Sequence, residues 1–278
     1  MTLDEIIDHA IVEDIHDGDH TSLSCIPSDA RRSARLLVKA EGILAGVAVA
    51  QKVFSRFDPS LELQVFMVDG AFIKLGDVAF VVSGSARSIL QAERLVLNIM
   101  QRMSAIATLT RRYVDAVVHT KARILDTRKT TPNFRLLEKQ AVVIGGGMNH
   151  RFGLYDMLMI KDNHHDFCGG ISQAIGRARA YLAEKNLEHL KIELEVRNFR
   201  ELDEALAFGQ IDRIMLDNFG IKEMRQAVQI VAGRVETEAS GGITLETVRE
   251  VAETGVDYIS VGALTHSAGS LDLSLKAL

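Results

Sequence analysis

Two kinds of hydrophobic pattern follow one another along the chain. Apolar positions before about residue 100 fall in short, mixed runs. A helical spacing near Leu3 to Val12 is followed by strand-like stretches at Arg35 to Lys39, at Leu61 to Val68, and at Asp77 to Val82. The second of these alternates and ends on the turn residues Asp69 and Gly70, and the third is closed by Gly84. That is the pattern of a small α/β unit built on one sheet. From Ser88 to Val118 apolar residues recur every three or four positions, through Leu90, Leu97, Met100, Met103 and Leu109, which predicts a long buried helix bridging two domains.

Beyond that helix, short β-type runs alternate with helical segments: Arg123 to Asp126, Asp156 to Lys161, Lys191 to Val196, Arg213 to Asp217, Val235 to Ser240 and Tyr258 to Gly262. Repeated βα units predict a parallel sheet, either doubly wound or closed towards a barrel. The polar residues choose between these. Nearly every apolar strand core ends in a reactive or ligand-binding side chain: Arg128 and Lys129, Lys161, Glu195, Asp217, Ser240, then Gly262. A barrel gathers all strand ends around one mouth, whereas an open sheet leaves some far from its switch point. The expected fold is therefore α/β, with a barrel that is incomplete at about six strands. The domains are read as residues 1–100 and 101–267, with the tail 268–278 returning to the first.

Composition narrows the function without naming it. The 278 residues are 47% hydrophobic and 25% charged with 3 prolines, an ordinary globular balance. A net charge of -5 gives no overall basic signature, so nucleic-acid binding has no support and an anionic substrate must meet a local cluster of Arg and Lys. The longest apolar stretches, such as Gly42 to Ala50, fall far short of the roughly 20 residues a membrane span needs. Acidic Asp4, Glu5 and Asp8 stand where a secretory signal places basic residues, and Cys25 and Cys168 fit no disulfide or zinc pattern. A reducing cytoplasm is the expected location.

Cationic side chains dominate the candidate chemistry. In Asp126-Thr-Arg-Lys-Thr-Thr-Pro132, Arg128 and Lys129 end a strand beside hydroxyls; Arg grips a carboxylate or phosphate through two parallel hydrogen bonds, and Lys offers a compact charge. Gly145-Gly-Gly-Met-Asn-His-Arg151 joins a glycine run to His150 and Arg151, and matches neither a Walker loop nor a dinucleotide fingerprint. Alone, His150 reads more readily as a satisfied histidine than as a catalyst; Arg151 beside it changes that balance. Lys161 has two readings, a Schiff-base nucleophile or a fixed cation. Glu195 and Asp217 amid these cations point to Mg²⁺ holding a phosphorylated substrate. Ser240-Gly-Gly242 and Gly262 end the last two strands, where barrels often cradle phosphate on backbone N–H groups. The acidic, histidine-bearing stretch Glu13 to His20 lacks calcium-loop spacing and is read as a solvated loop.

Taken together, these motifs closely resemble the quinolinate phosphoribosyltransferase family, also called carboxylating nicotinate-nucleotide pyrophosphorylases. The likeness spans nearly the whole chain, from Glu13-Asp-Ile-His-Asp-Gly-Asp-His-Thr21 and Glu93-Arg-Leu-Val-Leu-Asn98 through the two cationic segments to Leu154-Tyr-Asp-Met-Leu-Met-Ile-Lys-Asp-Asn-His164, Leu216-Asp-Asn218, Ala239-Ser-Gly-Gly-Ile-Thr244 and Val261-Gly-Ala-Leu-Thr-His266. The resemblance implies a type II phosphoribosyltransferase with an N-terminal α/β sandwich, an open α/β barrel and an obligate homodimer whose sites are completed by the neighbour. It further implies that Arg128, His150 and Arg151, with Arg94 from the partner, bind the two quinolinate carboxylates, and that Thr127 is a substrate-binding residue. Lys129 and Lys161 would lie between quinolinate and the diphosphate of phosphoribosyl pyrophosphate, and Glu195 and Asp217 would face the ribose and its Mg²⁺. Ser240, Gly241, Gly242 and Gly262 would hold the 5-phosphate. Asn133, Ala105 and the stretch His165 to Gly170 depart from the usual pattern and bear on loop shape. Alternatives are a related enzyme with another acceptor, a Schiff-base lyase using Lys161, and a non-catalytic phosphate-binding module.

Overall fold

In β1 the side chains of Ala34, Leu36 and Val38 are buried while Arg35 is exposed, the two-residue alternation of a strand with one face on a core. A computed structural model describes residues 1–278, with twelve strands along the chain. They are β1 (Arg31–Val38), β2 (Gly42–Ile43), β3 (Glu62–Val65), β4 (Phe72–Ile73), β5 (Val78–Ser85), β6 (Arg123–Leu125), β7 (Leu158–Ile160), β8 (Ile192–Val196), β9 (Arg213–Asp217), β10 (Glu236–Ser240), β11 (Tyr258–Ser260) and β12 (Leu273–Ala277). No helix is long and apolar enough to cross a membrane.

The chain divides into two compact units. The first comprises residues 1–111, 129–146 and 264–278 and carries an antiparallel sheet in the order β12-β1-β5-β3, with β2 and β4 as a separate pair. The last residues of the chain thus form an edge of the first sheet, with Leu36 of β1 opposite Leu275 of β12. Against the sheet lies the helix Val47–Phe57, whose Phe54 ring meets Phe80 edge-on at 6.0 Å between centroids. The first sheet is longer than the hydrophobic runs predict. β1 begins at Arg31, and β5 continues through Gly84, which at φ 148 leaves room for the Leu61 side chain beside it. Gly84 is therefore a close-approach position within a strand and not its terminator.

The long helix runs from Ala86 to Val117. Its buried face is Ala92, Val96, Ile99, Met103 and Ile106. Leu97 and Met100 are also buried, but Leu90 is 44% exposed. It shares the solvent stripe of Arg94 and Asn98, four and eight positions on, so the spacing that placed Leu90 in the core assigned it to the wrong face.

In the second unit, residues 112–128 and 147–263, six parallel strands run in the order β6-β11-β10-β9-β8-β7. Between β6 and β7, the two ends of this order, no ladder forms; the single bridge from Leu125 to Met148 lies beside β6. The sheet is an open barrel of six strands. Burial of β8 at all five positions is the mark of a strand covered on both faces.

Candidate active site

Strand registers put the predicted side chains of the second unit on one rim. Ile160 pairs with Leu194 and Ser240 with Asp217, so Lys161, Glu195, Asp217 and Ser240 emerge at the carboxyl ends of adjacent strands. Thr127 and Arg128 follow β6, and Gly262 follows β11, which pairs with β6. Lys129 opens the segment that belongs to the first unit, where its carbonyl accepts a hydrogen bond from the Thr265 hydroxyl at 2.8 Å. Arg94 stands exposed on the long helix of that unit.

Charge at the rim is balanced locally. The Lys161 Nζ donates to Glu195 Oε2 at 3.0 Å; the lysine side chain is half-exposed and the glutamate buried. Asp217 has its pKa raised, first by burial and then by the negative charge of Glu195, with the Asn218 amide and Lys161 acting in the opposite direction. Two carboxylates close enough to repel are a donor set that a hard divalent cation would relieve. Arg151, half-buried, has its pKa lowered by burial and by the like charge of Arg128, which puts two guanidinium groups within one electrostatic neighbourhood. An anion with two negative groups would relieve that repulsion as the cation relieves the other.

A backbone cradle follows β10. Gly241 has φ 104, and a Cβ there would press on the Asn218 side chain and lie 3.0 Å from its backbone N. Asn218 is itself left-handed at φ 56, its N–H donating to the Ser240 carbonyl at 2.9 Å and its side-chain amide to Asp217 at 2.8 Å. Gly241 is thus required both for its torsion and for its space. Gly241→Ala is expected to raise the KM for the phosphorylated substrate about tenfold or more while leaving the melting temperature within a few degrees, since this loop carries no core; the size is that of removing aligned backbone donors. Unchanged KM in the folded variant would remove the cradle from the site.

His150 is placed differently from a rim ligand. Its side chain is 4% exposed, with Nε2 at 2.9 Å from Glu193 Oε2 and 3.3 Å from Glu238 Oε2. Nδ1 accepts the Arg151 backbone N–H at 2.7 Å, and the His150 N–H donates to the buried Asp126 carboxylate at 2.8 Å. Burial alone would lower the imidazole pKa; the hydrogen bonds and charges of Glu193 and Glu238 outweigh it and raise it to about 9. In the neutral ring the Arg151 N–H makes Nδ1 the acceptor, which leaves Nε2 to carry the proton towards Glu193.

Below the rim, the barrel interior is charged. Arg213 donates to Glu238 at 2.9 Å and Glu236 at 3.3 Å, and its guanidinium lies 3.9 Å from the centre of the Tyr258 ring. Apart from the imidazole, neither oxygen of Glu193 has a hydrogen-bond partner. Reading strand ends alone misses this layer. The signal is the alternation Glu193-Glu195 in β8, Arg213-Asp217 in β9 and Glu236-Glu238-Ser240 in β10, where every inward position below the rim except Met215 is ionisable. In the Glu13 to His20 stretch, by contrast, Asp19 caps the helix His20–Cys25 by accepting from the Ser22 N–H at 3.0 Å, and His16, Asp17 and His20 are solvent-exposed.

Comparison with known proteins gives this geometry a context. Residues 19–104 match the N-terminal domain of quinolinate phosphoribosyl transferase, and residues 106–276 match its C-terminal domain. The chain is 46% identical to the chloroplastic carboxylating nicotinate-nucleotide pyrophosphorylase of Arabidopsis thaliana, over 99% of this chain and 82% of that one. It is 43% identical to a probable nicotinate-nucleotide pyrophosphorylase of Bacillus subtilis, over 99% and 93%. The crystal structure of NadC from Streptococcus pyogenes superposes with a TM-score of 0.93 at 40% identity, covering 99% of this chain and 95% of that one.

Proposed function

The chain belongs to the quinolinate phosphoribosyltransferase family, and from that premise we propose that it transfers the phosphoribosyl group of phosphoribosyl pyrophosphate to quinolinate with decarboxylation, in de novo NAD biosynthesis. The products are nicotinate mononucleotide, CO₂ and pyrophosphate. The observation that carries this reading is the single rim on which paired guanidinium groups, a lysine, two adjacent carboxylates and a glycine cradle follow one another around one barrel mouth. Each matches one part of the two substrates: a dicarboxylate, a leaving diphosphate, a ribose with its cation, and a terminal phosphate.

Arg128 and Arg151 bind the two carboxylates and orient the ring so that its nitrogen faces the sugar. That nitrogen's lone pair forms the bond to the anomeric carbon as the bond to the pyrophosphate oxygen breaks. Lys129 and Lys161 take up charge on the departing pyrophosphate. Glu195 and Asp217 are the residues that would hold Mg²⁺, which when bound neutralises charge on the diphosphate. Ser240, Gly241, Gly242 and Gly262 anchor the 5-phosphate. With the ring nitrogen ribosylated and cationic, the adjacent carboxylate leaves as CO₂, its bonding electrons go to the ring, and a proton from water replaces it. In this scheme the protein supplies alignment, charge and exclusion of bulk water, which accounts for the absence of a nucleophilic triad from the rim.

The ion pair of Lys161 with Glu195 favours a cation over the Schiff-base nucleophile. Purified protein given quinolinate, phosphoribosyl pyrophosphate and Mg²⁺ is expected to release nicotinate mononucleotide and CO₂, with nicotinate as an unreactive control acceptor. No product from a protein that still binds phosphoribosyl pyrophosphate would transfer the phosphate site to another acceptor.

The working form is a homodimer in which Arg94 of each subunit reaches the other's quinolinate pocket, a reading supported by its exposure on a helix whose opposite face is core. Arg94→Ala is expected to lose activity and to regain part of it when mixed with Lys161→Ala, because one site in each mixed dimer is then intact. Absence of rescue in verified mixed dimers would place Arg94 outside the site. The free thiols Cys25 and Cys168 suit the cytoplasm as the place of work.

A further inference from the structure

Four ionisable side chains, His150, Glu193, Glu238 and Arg213, cluster inside the barrel beneath the rim, where such barrels ordinarily place Val, Ile and Leu. Glu193 and Glu238 are fully buried. A buried carboxylate is tolerated only where a partner compensates its lost hydration, and for Glu193 the sole hydrogen-bonding partner within reach is the His150 ring. Turning that ring towards the mouth would strand Glu193. The imidazole is accordingly anchored downwards while its Nδ1 takes the Arg151 backbone N–H, and the backbone N–H of His150 donates to Asp126, the residue two before Arg128.

We propose that Glu193 and Glu238 are positioning residues for the dicarboxylate pocket, which clamp His150 from within the barrel and through it fix the backbone that presents Arg151 and Arg128. The proposal rests on the dicarboxylate reading of those two arginines. Both arms of the pocket converge on one residue, because Asp126 at the end of β6 accepts the His150 backbone N–H while the His150 ring accepts the Arg151 N–H. These two arms are joined by the main-chain hydrogen bonds of the Leu125–Met148 bridge, from the Met148 N–H to Ile124 at 2.9 Å and from the Asp126 N–H to Met148 at 3.1 Å. The clamp acts just beyond the last of these bonds, where the chain leaves the ladder. A metal ion in place of the clamp is disfavoured by the positive charge already present: Arg213 donates to the same Glu238 oxygen that faces the imidazole.

Glu193→Leu keeps the side-chain volume and removes one jaw of the clamp, while the imidazole and Arg213 keep Glu238 as their carboxylate partner. Glu193→Gln keeps an oxygen able to accept from Nε2–H. The leucine variant is expected to raise KM for quinolinate about 10- to 100-fold, the scale of a displaced binding group, while KM for phosphoribosyl pyrophosphate stays within about twofold. Glutamine should recover most of the loss. In His150→Ala the further change Glu193→Leu should cost nothing more, since the two act as one unit.

Binding of benzene-1,2-dicarboxylate, which has no ring nitrogen to ribosylate, is measured in parallel, so the positioning role is scored whether or not the wild type turns over quinolinate. Its Kd should weaken with the leucine variant and recover with glutamine. Equal rises in both KM values, no recovery with glutamine, or losses that add in the double variant would overturn the proposal. Should Glu193→Leu fail to fold, Glu238→Gln and His150→Ala, alone and together, are read by the same two KM values and the same non-additivity.

Discussion

Lys161→Ala is expected to reduce kcat by about 10²- to 10³-fold, the cost of removing one preorganised charge from the place where negative charge develops. The residue follows β7 with its amine 3.0 Å from Glu195, so its loss removes the cation and also leaves a carboxylate without its partner beside Asp217. Because the side chain is half-exposed and no core contact depends on it, the thermal transition should move by no more than a few degrees. Lys161→Arg is expected to restore little, since a planar guanidinium cannot occupy the position of a compact ammonium beside the same carboxylate. Lys129→Ala should show a similar loss. Steady-state kinetics with a parallel circular-dichroism melt decides the matter: an unaltered kcat in either folded alanine variant would remove that lysine from the reaction.

The second large effect is on stability. Glu138 has no solvent exposure and accepts from Arg102 at 2.7 and 3.0 Å and from the backbone N–H and hydroxyl of Thr131, each at 3.0 Å. Arg102 also donates to the carbonyls of Thr265 and Gly269, so one ion pair ties the loop after Lys129 to the segment that leads into β12. Replacing Glu138 with alanine leaves a largely buried guanidinium and two Thr131 donors unpaired, a change expected to cost about 3–5 kcal/mol. For a chain of this size that corresponds to a fall of roughly 6–20 °C in Tm. Glu138→Gln, which keeps the acceptor, should lose less than half as much. A melt within about 2 °C of wild type for the alanine variant would show that the network relaxes onto other partners.

The barrel and its rim were legible in the sequence because each strand is a short apolar run that ends in a side chain too polar to belong to it. In a parallel barrel all such ends share one mouth, so order along the chain converts directly into neighbourhood in space. The clamp was not legible by the same route. Glu193 and Glu238 lie inside runs read as apolar, and a charge flanked by Leu194 or Ala239 announces burial only once the strand is known to be covered on both faces. His150 illustrates the point from the other side. The sequence places it beside Arg151 and hence near the anion, but the direction of its ring depends on carboxylates 43 and 88 positions away. Leu90 marks a plainer limit: on a helix buried over much of its circumference, a spacing of three or four fits more than one face.

The pairing of β12 with β1 has a consequence for how the chain is made. At roughly 5–20 residues per second, ribosomal synthesis leaves an interval on the order of 10–50 s between the end of β1 at Val38 and the arrival of β12 at Leu273. During that interval every residue of the six-stranded sheet has been made, while the sheet begun first still lacks its outer strand. The nascent chain therefore carries an open strand edge for most of its synthesis. That edge bears Arg31, Arg32 and Arg35, and positive charge along an unpaired strand is the standard chemical guard against pairing with a neighbouring nascent chain.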